Sequence, residues 1–195
     1  KKMSITSKSG SDIRKVIFSG FTWAEPSWTE AERTPVRERT AVAKKQNFVT
    51  YKPTSIDGED RLYLTKEMLR SSKTFWRVVN DLAIDGKQMS ISGHKFNRGL
   101  GVHADSELTF ALTGEYKKLH VIPGADDGHT GVLQMKILLD GRVVYKTDAI
   151  SSKSQKASRV KVKLNDAKIL TLKVESSDGS AGGDHANWAD LYLLK

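Results

Sequence analysis

The sequence predicts an all-β sandwich with a partly ordered N-terminal extension. Two observations carry that prediction. From Leu108 onward apolar residues recur with period two, and turn signals separate the runs at short, regular intervals. Leu108, Phe110 and Leu112 alternate with Thr109 and Ala111, and Leu119 and Val121 follow. The run Val132–Leu139 is then joined to Val143–Tyr145 through Asp140 and Gly141, a pair suited to the positive φ angles of a tight hairpin. Val160, Val162 and Leu164 alternate with basic residues, Leu170, Leu172 and Val174 repeat the pattern, and Ala189–Leu194 forms the last strand.

Residues 1–60 read as an extension or the edge of a neighbouring domain, and 61–195 as the sandwich. In the extension Val16–Phe18 has the makings of a strand, Trp23 and Trp28 flank Pro26, and Thr29 with Glu32 forms a capping-box pattern ahead of the polar run to Lys45. Lys66–Arg70 suits a short helical turn. The opening Lys1-Lys2, with no apolar leader after it, reads as an internal cut from a longer protein.

Composition narrows the functional classes. Hydrophobic residues make up 38% and charged residues 28% of the 195, as in ordinary globular domains. No apolar run approaches the ~20 residues of a membrane-spanning helix. Cysteine is absent, which excludes disulfides, thiol catalysis and cysteine-ligated zinc. The net charge of +9 is spread along the chain without a basic block or interleaved aromatics, a pattern that argues against nucleic acid as partner.

Three polar clusters stand out. Arg98–Glu107 holds His103, Asp105 and Glu107; Pro123–Gly131 holds Asp126, Asp127 and His129; and Gly179–Asp190 holds Asp184, His185, Asn187, Trp188 and Asp190. Sandwich loops gather at two ends, so these clusters have the means to meet. Carboxylates, imidazoles and a carboxamide suit sugar hydroxyls, and an indole suits the apolar face of a pyranose ring. Trp188 is open to two readings, a stacking platform or a core plug at the end of the sandwich. Asp184 and Asp190 are the candidate calcium ligands; no EF-hand spacing is present, so such a site would be assembled from distant segments. The acids Glu107, Asp126, Asp127 and Asp190 also raise a glycosidase-type carboxylate pair, but nothing fixes them in a catalytic arrangement and no nucleophile elbow occurs.

The segments Ile91-Ser-Gly-His-Lys-Phe-Asn-Arg-Gly-Leu-Gly-Val-His-Ala-Asp-Ser-Glu107, the Asp126-Asp127 loop and Asp184-His-Ala-Asn-Trp-Ala-Asp190 resemble, in that order, the NPCBM family, also classed as family 51 carbohydrate-binding modules. Leu62–Thr65 followed by Trp76–Gly86 resembles the family's opening strand and loop, so the likeness covers about 62–195. It implies a galactose-binding-like jelly roll without catalytic activity, covalently attached to an exported bacterial glycoside hydrolase. It further implies a glycan partner such as galactose or a blood-group-type oligosaccharide, a structural calcium, and an extracellular or cell-wall location. His103, Glu107, Asp126, Asp127, His185, Asn187 and Trp188 are the sugar-contact residues expected on this reading. Asn187 stands where Asp is frequent, a change expected to alter one hydrogen bond to ligand. Two rivals remain: a structural sandwich packed on a catalytic domain, and a protein–protein or nucleic-acid adaptor that uses the basic surface.

Overall fold

The computed structural model describes residues 54–56, 59–180 and 182–195. The features read at Val16–Phe18, Trp23, Trp28 and Thr29–Lys45 lie outside the described residues. The described elements are fourteen strands and one 3-10 turn. In chain order they are β1 (Thr54–Ile56), β2 (Glu59–Tyr63), the turn Lys66–Met68, β3 (Leu69–Thr74), β4 (Val79–Asn80), β5 (Met89–Ile91), β6 (His94–Phe96) and β7 (Gly99–His103). They continue with β8 (Ser106–Ala111), β9 (Lys118–Ala125), β10 (Leu133–Leu139), β11 (Arg142–Lys146), β12 (Val160–Lys163), β13 (Ile169–Ser176) and β14 (His185–Leu194).

Two sheets form the sandwich. One runs β11-β10-β13-β8-β3; the other has β1-β2-β14-β7-β4 with β9 and β12 joined to it through β14. The hairpin β5-β6 stands apart as a two-stranded sheet. Alternation explains the first sheet directly: Leu133, Met135, Ile137 and Leu139 of β10 point inward, as do Leu108 and Phe110 of β8 and Leu170, Leu172 and Val174 of β13. They meet Leu100, Val102, Leu119, Val121, Leu191 and Leu193 of the other sheet in one apolar core. At the β10–β11 hairpin Asp140 and Gly141 adopt φ of 47° and 80°, as the turn chemistry requires.

The last strand differs from expectation. It begins at His185, four residues before the run read as a strand, so the polar cluster Asp184–Asp190 is mostly central sheet and not a loop. Its alternation is hidden because β14 is covered on both faces, with Ala186, Asn187, Trp188, Ala189 and Leu191–Leu194 all buried. The strand is the spine of its sheet. His185–Ala189 pairs with β7, Tyr192–Leu194 pairs with β2, and β9 lies along the other side of both halves. The switch of partners falls at Asp190, which has φ of 49° at an irregularity in the β9 pairing.

Candidate sugar-binding end of the sandwich

Antiparallel register places the two histidines of β7 and β14 opposite each other: His185 pairs with His103. Their rings meet edge to face at 5.4 Å. His129, from the segment after β9, stacks on His185 with centroids 3.6 Å apart. Phe75 lies over His103 at 5.0 Å, and Trp76 reaches His185 edge-on at 6.4 Å. Phe75 and Trp76 are 68% and 53% exposed, the two most exposed large apolar side chains among the described residues.

Local structure holds this rim in place. The Phe75 amide donates to the Asp105 carbonyl at 2.9 Å. Arg77 packs over the Trp76 ring at 5.0 Å and donates twice to the Ile84 carbonyl. The segment Leu82–Ile84 lies so close on β7 that a Cβ at Gly101 would sit 2.3 Å from the Leu82 carbonyl oxygen, so only glycine fits there. Ala83 and Ile84 are fully buried, and the next residue, Asp85, is thereby delivered to the imidazoles. Its carboxylate lies 3.6 Å from His129 Nε2 and 2.8 Å from Lys87 Nζ.

The electrostatics favour neutral imidazole beside ionised carboxylate. Burial, with His129 and His103 as neighbours, lowers the His185 pKa to about 4. Burial works to raise the Asp85 carboxyl, but the Lys87 ammonium and backbone amide outweigh it and hold it at about 2. Burial pushes the Asp126 carboxyl up, against hydrogen bonds from the Ser90 amide at 3.1 Å and Asn187 Nδ2 at 2.6 Å. His103 Nδ1 donates to the Ala104 carbonyl, which leaves Nε2 as an acceptor in the neutral ring. Asp85, His129 and His185 each present a ligand atom within 4.8 Å of the others. Two nitrogens and one carboxylate suit a transition metal better than calcium.

Of the seven residues expected at a sugar site, His103, His185, Asp126 and Asn187 come together at this end. Asn187 is fully buried and holds Asp126, so it orients an acceptor from beneath the surface. Trp188 is the core plug of its two readings: it is fully buried and packs within the main apolar cluster, with no face turned outward. Asp127 ties the β5–β6 hairpin, accepting from the Ser92 and Gly93 amides at 2.9 and 2.8 Å. Glu107 lies in register between Lys73 and Lys173 on the other sheet and does not join the imidazoles.

The Asp184–Asp190 pair needs correction as one calcium site. Six residue steps of extended chain separate them, about 20 Å at ~3.3 Å per step, and Asp190 faces the guanidinium of Arg159. Asp184 alone fits a cation: it is fully buried, and neither carboxylate oxygen has a hydrogen-bond partner among the described residues.

Asp85, Lys87, Phe75 and Trp76 are not among the site residues expected from the sequence, and neither is His129, which the sequence places only in the Pro123–Gly131 cluster. The one available signal was two adjacent aromatics, Phe75 and Trp76, in a polar stretch where alternation would bury only one of them.

The NPCBM/NEW2 domain model matches residues 60–194. A Renibacterium salmoninarum protein named as an endo-alpha-N-acetylgalactosaminidase is 29% identical over 112 residues, which cover 56% of this chain and 7% of that protein. A structure of the CBM51-2 and INT domains of Clostridium perfringens ZmpB superposes with a TM-score of 0.64 at 25% identity, covering 70% of this chain and 32% of that one. A CBM51 from Clostridium perfringens GH95, solved with methyl-galactose, has a TM-score of 0.63 at 24% identity, covering 68% and 99% respectively. The chain thus spans a small part of the curated relative and about a third of the ZmpB fragment. No helix among the described residues is long and apolar enough to cross a membrane. The match over residues 60–194 and the shared sandwich place this chain in the NPCBM/NEW2 family, as a non-catalytic carbohydrate-binding module of the kind found with glycoside hydrolases.

Proposed function

We propose that the module holds a terminal galactose or related host-glycan sugar at the His185 end and so keeps an attached, exported glycoside hydrolase on its substrate. The observation that carries this reading is the convergence of His103, His129, His185, Asp85 and Asp126 beside the exposed Trp76. The axial O4 of galactose leaves one face of the ring lined by C–H groups, and the Trp76 indole is a flat apolar partner for it. Asp85 and Asp126 accept from hydroxyls, Lys87 donates, and an imidazole does either according to tautomer. The shallow, exposed rim suits single-site binding of modest strength, made effective by the local concentration that covalent attachment gives. Two related structures support the class of ligand: one CBM51 was solved with methyl-galactose and another with GlcNAc. The galactosaminidase name of the curated relative supports the enzyme class.

Calorimetry with galactose, N-acetylgalactosamine, GlcNAc and blood-group oligosaccharides tests the reading. Saturable binding of a galactose-type sugar is expected, and no heat with any of them at millimolar concentration overturns it in favour of a structural sandwich. Calcium belongs to the same proposal, at Asp184. Added calcium is expected to raise the melting temperature, EDTA to reverse the rise, and Asp184→Asn to remove the response.

A further inference from the structure

A second cleft lies on the outer face of the sheet that contains β14, distinct from the His185 end. It has a volume of about 650 Å³, and its nine lining residues include Arg61, Lys118, Arg159, Lys161 and Lys163 around Tyr192. Such a volume falls within the ~300–1,000 Å³ of ordinary ligand clefts. Five of the nine lining residues are Lys or Arg, and none is acidic.

The register of the strands concentrates this charge at a cost. Lys163 of β12 is the direct cross-strand partner of Lys118 on β9, and Lys161 faces His120. Like charges directly opposite each other destabilise a sheet. Lys118, Lys161 and Lys163 are exposed and form no ion pair among the described residues. Asp190, at the margin, is already engaged by Arg159. Nothing in the packing of the sandwich requires this arrangement, because the inward residues Leu119 and Val121 fill the core whatever their outward neighbours carry.

The floor discriminates between polyanions. Tyr192 is 4% exposed, with the Arg61 and Arg159 guanidiniums over its ring at 5.0 and 5.7 Å and the His120 ring at 5.1 Å. Its faces are taken, so the cleft offers no aromatic platform on which bases would stack. What remains is a grid of cations about 7 Å apart along β12 and about 5 Å apart between β12 and β9, spacings comparable to the length of one pyranose unit. We propose that this cleft binds a carboxylated or sulfated polysaccharide, as a second glycan site beside the one for neutral sugar. The site rests on the sheet register and does not depend on the His185 end being occupied.

The test uses heparin as the probe, with dextran as its uncharged counterpart and a single-stranded oligodeoxynucleotide as the rival polyanion. Binding is measured over a range of salt, including ~0.15 M. Heparin is expected to bind and dextran not to. K161E/K163E is expected to weaken heparin at least about tenfold and flatten its salt dependence, whereas R142E/K146E, on an exposed strand of the other sheet, changes it less than about twofold. All substituted side chains are exposed, and a thermal melt confirms that both variants fold. Absence of heparin binding at ~0.15 M salt, or equal losses in the two variants, overturns the proposal. Tighter binding of the oligonucleotide than of heparin overturns it too and assigns the cleft to nucleic acid.

Discussion

One strand serves two unlike surfaces. At its start, β14 contributes His185 and Asn187 to a cluster in which acids and bases are matched: Asp85 has Lys87 and His129, and Asp126 has Asn187. At its end, the same strand supplies Tyr192 and Leu194 to a floor walled by five Lys and Arg side chains, of which Lys118, Lys161 and Lys163 form no ion pair among the described residues. The first is made by segments folding over a sheet end, the second by neighbouring strands in register. A charge-balanced set of donors and acceptors suits hydroxyls, while neighbouring lysines in register suit a polyanion. Partner chemistry is therefore set by how residues are brought together as much as by which residues they are.

Trp188 lies between the two surfaces, and its removal is the harshest test of their independence. Trp188→Ala is expected to cost about 3–5 kcal/mol, a large share of a domain's ~5–15 kcal/mol, and to weaken both surfaces together. Urea unfolding followed by circular dichroism checks this; retention of either binding activity at full strength in an unstable variant would show that the surfaces do not share this support.

Trp76→Ala separates them. The indole is more than half exposed, so the melting temperature should hold while sugar affinity falls by about 2 kcal/mol, roughly 30-fold. Heparin affinity should not change, and calorimetry on one sample reads both.

A smaller effect comes from pH. His185 titrates at about 4 in the folded protein and near 6.5 unfolded. Between those values the unfolded chain takes up the proton and the folded one does not, so stability falls as pH drops from about 6.5 to 4 and this group adds no further loss below. Asp85, held at about 2 when folded, withdraws its contribution only from about pH 3.9 downward. Denaturant titrations from neutral pH to about 4.5 should therefore give a shallower slope for His185→Gln. Equal slopes would locate the titration elsewhere.

The sandwich could be read from the sequence wherever one face of a strand is wet, as in β8, β10 and β13. It could not be read in the first half of β14, His185–Trp188, where burial of both faces erases alternation, nor in β7, where Gly99 and Gly101 answer to close backbone contacts. Among site residues, His103, Asp126 and His185 were visible because their segments are chemically dense. Asp85 and Trp76 were not, since each owes its position to a segment pressed onto a strand from across the fold. The basic cleft was hidden for a related reason: Arg61, Lys118 and Lys161 are far apart in the chain and are gathered only by register.

The tight seat of Leu82–Ile84 on Gly101 bears on how such modules diversify. Residue 101 is closed to substitution, because any side chain there would lift Asp85 away from the imidazoles. The tips at Phe75, Trp76 and Lys87 carry no comparable steric constraint, so their identities can change while the frame beneath them holds. On the proposed function, replacing two or three rim side chains is the route to a new sugar preference, and one glycine marks the point where that freedom ends.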